Sequence, residues 1–266
     1  MPTLPTWDEM KMALDLVTIP ALSDNYTFLL HDAQSGDTAV IDVPEAGPID
    51  AALNERGWTL TEIWLTHHHA DHIQGVEELK TKHPAKVTGA AADASRLPPL
   101  DREVADGETF SFGGEEVHVM DVSGHTVGHI AFHLPGSRIA FTADSLMALG
   151  CGRVFEGTMA QMWESLQKFL TLDPETTICS GHEYTQKNAE FALTIEPDNT
   201  ALISRSDAIA SARARGEPTV PSLLSDELAT NPFLRAGDEP VRQTLGMTDA
   251  PAAEVFAEIR RRKDAF

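Results

Sequence analysis

The chain has 266 residues, 42% of them apolar, enough for a large core in one domain or in one domain with a smaller appendage. A formal net charge of -21 makes nucleic acid a poor partner, because phosphate binding needs a basic face, and no run of about 18 apolar residues marks a membrane span. Cys151 and Cys179 are too few for a disulfide framework, and Met1 to Met10, with Pro2, Pro5, Asp8 and Glu9, lacks a signal-peptide layout; the cytoplasm is the expected compartment.

In chain order, Leu14 to Leu22, Tyr26 to His31 and Thr38 to Val43 read as strands, the last two as a hairpin around Asp32 to Asp37. Pro48 to Arg56 reads as a helix with Gly57 past its end. Thr61 to Leu65 is an expected strand, Asp71 to Lys82 a helix through the spacing of Ile73, Val76 and Leu79, and Lys86 to Gly89 another strand. Beyond Leu97-Pro98-Pro99-Leu100, hairpins are expected from Glu108 to Phe112 with Glu116 to Val122, and from Ile130 to Leu134 with Arg138 to Thr142. Met159 to Leu170 reads as an amphipathic helix and Thr176 to Cys179 as a short buried strand. From about Thr185 the strand signals stop, and Gln186 to Ile195, Thr200 to Arg215, Pro221 to Ala229 and Ala252 to Arg262 read as helices. The expected division is a β-rich, helix-flanked domain over 1-180 and a small all-helical domain over 181-266.

The chemistry concentrates in Thr66-His67-His68-His69-Ala70-Asp71-His72, just after an apolar strand. Four imidazoles and a carboxylate so close together would each need a partner if buried, and His67, His69, Asp71 and His72 read as metal ligands. His67 and His69 share a face only in extended chain, and the adjacent Asp71 and His72 reach one ion only where the chain turns into a helix. A catalytic ion needs about three protein ligands. His125, Asp144 and His182 each stand at the end of a predicted strand and are the candidates to complete the set. One assignment puts His67, His69 and His125 on a first ion and Asp71, His72 and His182 on a second, with Asp144 spanning both.

The His-x-His-x-Asp-His run, Gly124-His125-Thr126-Val127-Gly128-His129 and Phe141-Thr142-Ala143-Asp144-Ser145 resemble the metal motifs of the metallo-β-lactamase superfamily. That resemblance implies an α/β fold, an αββα sandwich of two mixed sheets with helices outside. Leu22-Ser23-Asp24-Asn25-Tyr26, Gly150 to Thr158, Ser180-Gly181-His182-Glu183-Tyr184-Thr185, Asn231-Pro232-Phe233-Leu234-Arg235 and Arg260-Arg261-Arg262-Lys263-Asp264 are similar to the glyoxalase II pattern, that of the hydroxyacylglutathione hydrolases. The resemblance implies two divalent ions, zinc before iron or manganese, held by the seven residues above. It implies that Arg153, Tyr184, Arg260 and Lys263 bind glutathione, the last two through its glycine carboxylate. The implied reaction is hydrolysis of S-(2-hydroxyacyl)glutathione, S-D-lactoylglutathione to D-lactate and glutathione, the second step of methylglyoxal detoxification. A metal-bridged hydroxide attacks, Asp144 holds both ions and Asp71 orients the nucleophile. A monomer is expected, with neither nucleic acid nor membrane as partner. Arg153 and Phe155 stand where some members have Lys and Tyr.

The other readings are a single-iron persulfide dioxygenase of the same superfamily, another hydrolase of that fold such as a nuclease, and a metal-binding protein without catalysis. His68 is expected to point away from the ions, His129 to pack or support, Cys151 to pack in a loop and Cys179 to lie in the core. The Arg260 to Lys263 run alone would be a cationic helix end.

Overall fold

The computed structural model describes residues 14–266; the Met1 to Met10 segment and the start of the 1-180 division lie outside them. β1 (Asp15–Ala21), β2 (Asn25–His31) and β3 (Thr38–Ile41) form an antiparallel meander. Side chains alternate across it with the period of two that a strand imposes. Phe28, Leu30, Ala39 and Ile41 face one cluster, Leu29 and Val40 the other. Parallel to β3 follow β4 (Glu62–Trp64), β5 (Lys86–Ala90) and β6 (Arg102–Val104), reached through α1 (Ala46–Arg56), α2 (Ala70–Ile73) and α3 (Val76–Lys82). These three strands complete a six-stranded sheet in the order β1 to β6.

The second sheet takes β7 (Thr109–Phe112), β8 (Glu115–Asp121), β9 (Ile130–Leu134) and β10 (Ile139–Ala143), all antiparallel, and then β13 (Thr177–Ser180), parallel to β10. Between them in sequence lie a small hairpin, β11 (Leu146–Met147) with β12 (Gly150–Cys151), and α4 (Met159–Phe169). β13 (Thr177–Ser180) is followed by α5 (Thr185–Ile195), α6 (Thr200–Ala214), β14 (Ser222–Leu223), α7 (Leu224–Thr230), α8 (Glu239–Leu245) and α9 (Ala252–Ala265). β14 pairs with β13 at the sheet edge, a two-residue strand within an otherwise helical stretch.

Phe28, Ile41 and Trp64 of the first sheet meet Val117, Phe132 and Phe141 of the second, which places the central core between the sheets. Ile49, Leu53, Val76 and Leu79 bring α1 and α3 onto the outer face of the first sheet. Met162, Leu166 and Phe169 of α4, with Val255, Phe256 and Ile259 of α9, cover the outer face of the second. The architecture is the αββα sandwich with a helical C-terminal region.

Four details differ from the sequence reading. The expected helix from Asp71 to Lys82 breaks at Gly75, whose amide donates to the Val43 carbonyl at 3.0 Å. A Cβ on Gly75 would stand 2.9 Å from Ala46 N and Glu45 Cα, so the chain passes the β3–α1 loop too closely for an ordinary helix. β6 and the β11–β12 hairpin are strands of three and two residues, too short for periodicity to reveal. The expected Pro221 to Ala229 helix starts as β14, and α8, with Pro240 in its first turn, is a helix beyond the expected set.

Candidate functional site

The turn after β4 stays extended through His69 (φ -59°, ψ 142°), which turns His67 and His69 to one side, and α2 then begins and swings Asp71 and His72 inward. His125 arrives on the loop between β8 and β9, Asp144 directly after β10 and His182 directly after β13. Ala143, the residue before Asp144, sits at φ 41° where the β10–β13 register shifts, a strained backbone that aims the carboxylate out of the strand.

All seven predicted ligands converge. His69 Nδ1 is 3.2 Å from His67 Nε2 and 3.0 Å from His125 Nε2. Asp71 Oδ2 lies 3.5 Å from His182 Nε2 and 3.9 Å from His72 Nε2. Asp144 faces both groups: Oδ2 is 3.4 Å from His125 Nε2 and 3.3 Å from His182 Nε2, and Oδ1 is 3.5 Å from His72 Nε2. Metal–nitrogen bonds of about 2.0–2.1 Å would put tetrahedral ligands about 3.3–3.4 Å apart, close to these separations.

The outer nitrogens fix which atoms face inward. His125 Nδ1 donates to the Arg153 carbonyl at 2.8 Å, and a carbonyl only accepts, so Nε2 carries the lone pair. His72 Nδ1 lies 2.8 Å from Asp42 Oδ2, His182 Nδ1 2.9 Å from Asp24 Oδ1, and His67 Nδ1 3.0 Å from Thr66 Oγ1. Thr66 Oγ1 in turn donates to Asp42 Oδ2 at 2.7 Å. Asn25 Nδ2 donates to Asp71 Oδ2 at 3.1 Å. His72 Nε2 and Asp144 Oδ1 are buried without a hydrogen-bond partner, an arrangement that a bound cation would satisfy.

Electrostatics separates the two groups. Burial, followed by the neighbouring imidazoles, pulls His67 well below the ordinary histidine value, and burial also lowers His69 and His125. Burial opposes charge on His72 and His182 as well, but Asp144 leads the carboxylates that overcome it, raising His72 to about 9 and His182 upward. Asp144 is held far below the carboxylate range: burial works against its charge, and His72 and His182 outweigh burial. The first group rejects protons and the second holds them against carboxylates. A divalent cation would take the free lone pairs of the first group and displace the protons of the second.

A cleft of about 480 Å³ opens beside this cluster, lined also by Arg153, Tyr184, Arg260 and Lys263. Tyr184 stacks on His182 with ring centroids 4.7 Å apart. Arg260 is buried; its guanidinium donates to Cys151 O at 2.9 Å and to Asp264 Oδ1 at 2.8 Å, and Asp264 also lies 3.5 Å from Arg153 Nε. Lys263 Nζ donates to Lys187 O at 3.1 Å, with Lys187 and Asn188 as further lining residues. Phe155 is 61% exposed, with its ring 5.3 Å from that of His125.

His68 turns away to Asp93, at 3.0 Å, and His129 stacks on His67 with centroids 4.6 Å apart. Burial pushes Cys151 up to about 11, which leaves an inert thiol at the cleft wall, and Cys179 lies in the core between the sheets. Asp42 and Lys187 have no place in the sequence reading, and Asp24 enters it only within the Leu22 to Tyr26 motif, without a role. For Asp42 the available signal was a carboxylate ending the apolar run Ala39-Val40-Ile41, at φ 59°.

The family model of the metallo-beta-lactamase superfamily matches residues 23–182, and that of the hydroxyacylglutathione hydrolase C-terminus matches residues 183–266. A hydroxyacylglutathione hydrolase of Cereibacter sphaeroides is 64% identical over 255 residues, 96% of this chain and 100% of the relative. One of Ruegeria pomeroyi is 60% identical over the same shares of both chains. Among solved structures, that of ETHE1 from Myxococcus xanthus aligns with a TM-score of 0.63 at 25% identity, covering 96% of this chain and 99% of the other.

Proposed function

This chain belongs to the hydroxyacylglutathione hydrolases of the metallo-beta-lactamase superfamily, and we propose that His67, His69, His125, Asp71, His72, His182 and Asp144 hold two divalent ions beside a glutathione-binding cleft. The chain is a metal-dependent hydrolase of a hydroxyacylglutathione thioester. S-D-lactoylglutathione, cleaved to D-lactate and glutathione in methylglyoxal detoxification, is the substrate we assign. The single observation that carries the two-ion reading is Asp144, whose oxygens lie 3.3–3.5 Å from histidines of both groups. A mononuclear dioxygenase is not favoured, since the second group would then have no ion and the curated relatives at 60–64% identity are hydrolases.

Nitrogen-rich and mixed oxygen–nitrogen sets suit zinc first, with iron and manganese as the other candidates. When bound, such ions supply hydroxide from water near neutral pH and polarise the thioester carbonyl. Asp71, fixed by Asn25, is placed to accept a hydrogen bond from the attacking group and orient it. The departing thiolate has a parent thiol of pKa about 8.5, so the chain needs no general acid for it. On the thiol side, Lys263 contacts a carbonyl, whereas Arg260 is already paired with Asp264, which makes Lys263 the chief available charge for the glycine carboxylate. Arg153 and Tyr184 bind the rest of the tripeptide from the cleft walls. In this reading residues 1-180 carry the metal chemistry except for the ligand His182, and 181-266 contribute Tyr184, Arg260 and Lys263 to a glutathione side that Arg153 completes. A monomer is proposed, and a cytoplasmic location, the latter supported by Cys151 and Cys179 as buried free thiols. Among the described residues no helix is long and apolar enough to cross a membrane.

The test is steady-state hydrolysis of S-D-lactoylglutathione beside other acyl thioesters and a lactone, with metal content measured on the same sample. Two ions per chain and preference for the glutathione thioester are expected; one ion per chain, or a faster lactone, would sink the assignment.

A further inference from the structure

Outside the ligand set, one polar network joins both loops that form the first-ion group to the segment after Arg153. Asp93, fully buried in the turn after β5, places Oδ2 3.0 Å from His68 Nδ1 and Oδ1 2.5 Å from Arg96 Nε. Arg96 Nη1 donates to both oxygens of Glu156 at 2.8 and 2.9 Å, and Nη2 donates to the Val127 carbonyl at 2.5 Å. Glu156 closes the circuit: Oε2 accepts from the Val127 amide at 2.9 Å, and Oε1 lies 3.3 Å from His68 Nε2. Beside it the Phe155 amide donates to the His125 carbonyl at 3.2 Å. Gly128 brings its loop so near that a Cβ there would be 3.0 Å from Asp93 Cβ.

The residues held are His68, between His67 and His69; Val127, two after His125; and Glu156, which follows Phe155. The Arg96–Glu156 arm is half-exposed, and an ion pair so placed adds little to stability. A planar guanidinium with one nitrogen on the buried Asp93, one on Glu156 and one on the Val127 carbonyl instead fixes direction and distance. The second-ion group has its own supports, Asp42 on His72, Asp24 on His182 and Asn25 on Asp71, and none of these belongs to the network.

We propose that Asp93, Arg96 and Glu156 are positioning residues for the first ion only, clamping the loops that present His67, His69 and His125 without touching the ion. The inference rests on the two-ion reading above. Its distinguishing consequence is selectivity: loosening the clamp weakens one ion and spares the other.

The experiment is a stepwise Zn2+ titration of the metal-free full chain against a competing chelator, resolving two dissociation constants, with His69→Ala marking the first-ion step. Glu156→Ala is expected to weaken that step about 10–100-fold, the usual effect of losing an outer partner of a ligand, and to leave the other step unchanged. Arg96→Met opens the fork from the other side and is expected to show the same selectivity, whereas Glu156→Gln, which keeps the acceptor for the Val127 amide, retains part of the affinity. Equal weakening of both steps, or of neither, in variants that still melt cooperatively would overturn the clamp. A wild-type chain that binds fewer than two ions would overturn the two-ion reading itself, so the two failures are distinguishable.

Discussion

Asp42 decides more of the site than its absence from the ligand set suggests. Its carboxylate takes the Thr66 amide at 2.8 Å on one oxygen, and Thr66 Oγ1 and His72 Nδ1 on the other, from a backbone position at φ 59°. Asn tolerates that left-handed conformation, so Asp42→Asn keeps the turn and the volume while removing charge and acceptor capacity. Metal affinity is expected to fall about 10–100-fold with little change in melting temperature, read by chelator competition and calorimetry. Unaltered affinity would mean that His72 is oriented by something else. Lys263 offers a second test at this scale. Burial, and then the nearby Arg260, lower its pKa to about 8. It is charged below that value and neutral above it, so its hold on a substrate carboxylate weakens as pH rises through 8. KM for glutathione thioesters is expected to climb between pH 7 and 9.5, against a flat kcat, and Lys263→Arg is expected to remove the climb. An identical KM–pH profile in that variant would take Lys263 out of substrate binding.

The β11–β12 hairpin shows how an element too short to satisfy itself borrows partners. Its two-residue strands leave carbonyls that a longer ladder would have used. Asn231 Nδ2 donates to Met147 O at 3.2 Å and Gly150 O at 3.0 Å, Asn188 Nδ2 donates to Ala148 O at 3.0 Å, and Glu227 accepts from the Leu149 amide at 2.7 Å. Asn231→Ala strands two buried carbonyls, a cost of about 1–3 kcal/mol. Urea denaturation is expected to show that loss. KM is expected to rise with it, because Gly152 and Arg153 follow the hairpin into the cleft; a fully stable variant with normal KM would contradict the role. The same element marks where sequence reading stops. The seven proposed ligands could be read because metal chemistry demands particular side chains at strand ends, and the strands of Phe28, Val40 and Phe141 because fully buried strands are apolar, β-branched and aromatic runs. Asp24, Asp42 and Asn231 carry no such pattern, since what each holds lies elsewhere in the chain and becomes visible only once the sheets have met. Gly75 is a case between the two: its break in the expected helix is legible as a glycine, but not as a close passage of α2–α3 past Ala46.

The two matched regions, 23–182 and 183–266, do not divide the core between them. The outer face of the second sheet presents Val122, Ala131, Ala140 and Ile178, and it is covered jointly by α4 and by side chains from beyond residue 230. Phe233, Val241, Val255, Phe256 and Ile259 among these are completely buried. Removing one such side chain to alanine costs about 2–5 kcal/mol, and a whole domain is stable by only about 5–15 kcal/mol. Five together exceed the stability available, even before the loss of β14 from the sheet edge is counted. A chain ending at His182 is therefore expected to keep strand signal in far-UV circular dichroism but to lose its near-UV signal, bind a hydrophobic dye and melt without a cooperative transition. The same deletion removes Asn188 and Asn231 from the hairpin and Arg260 from the Cys151 carbonyl, so metal retention is expected to fail with the packing. A truncated chain that melts cooperatively and still holds two ions would show that the sandwich closes its second face without the helices, and that those helices serve the cleft alone.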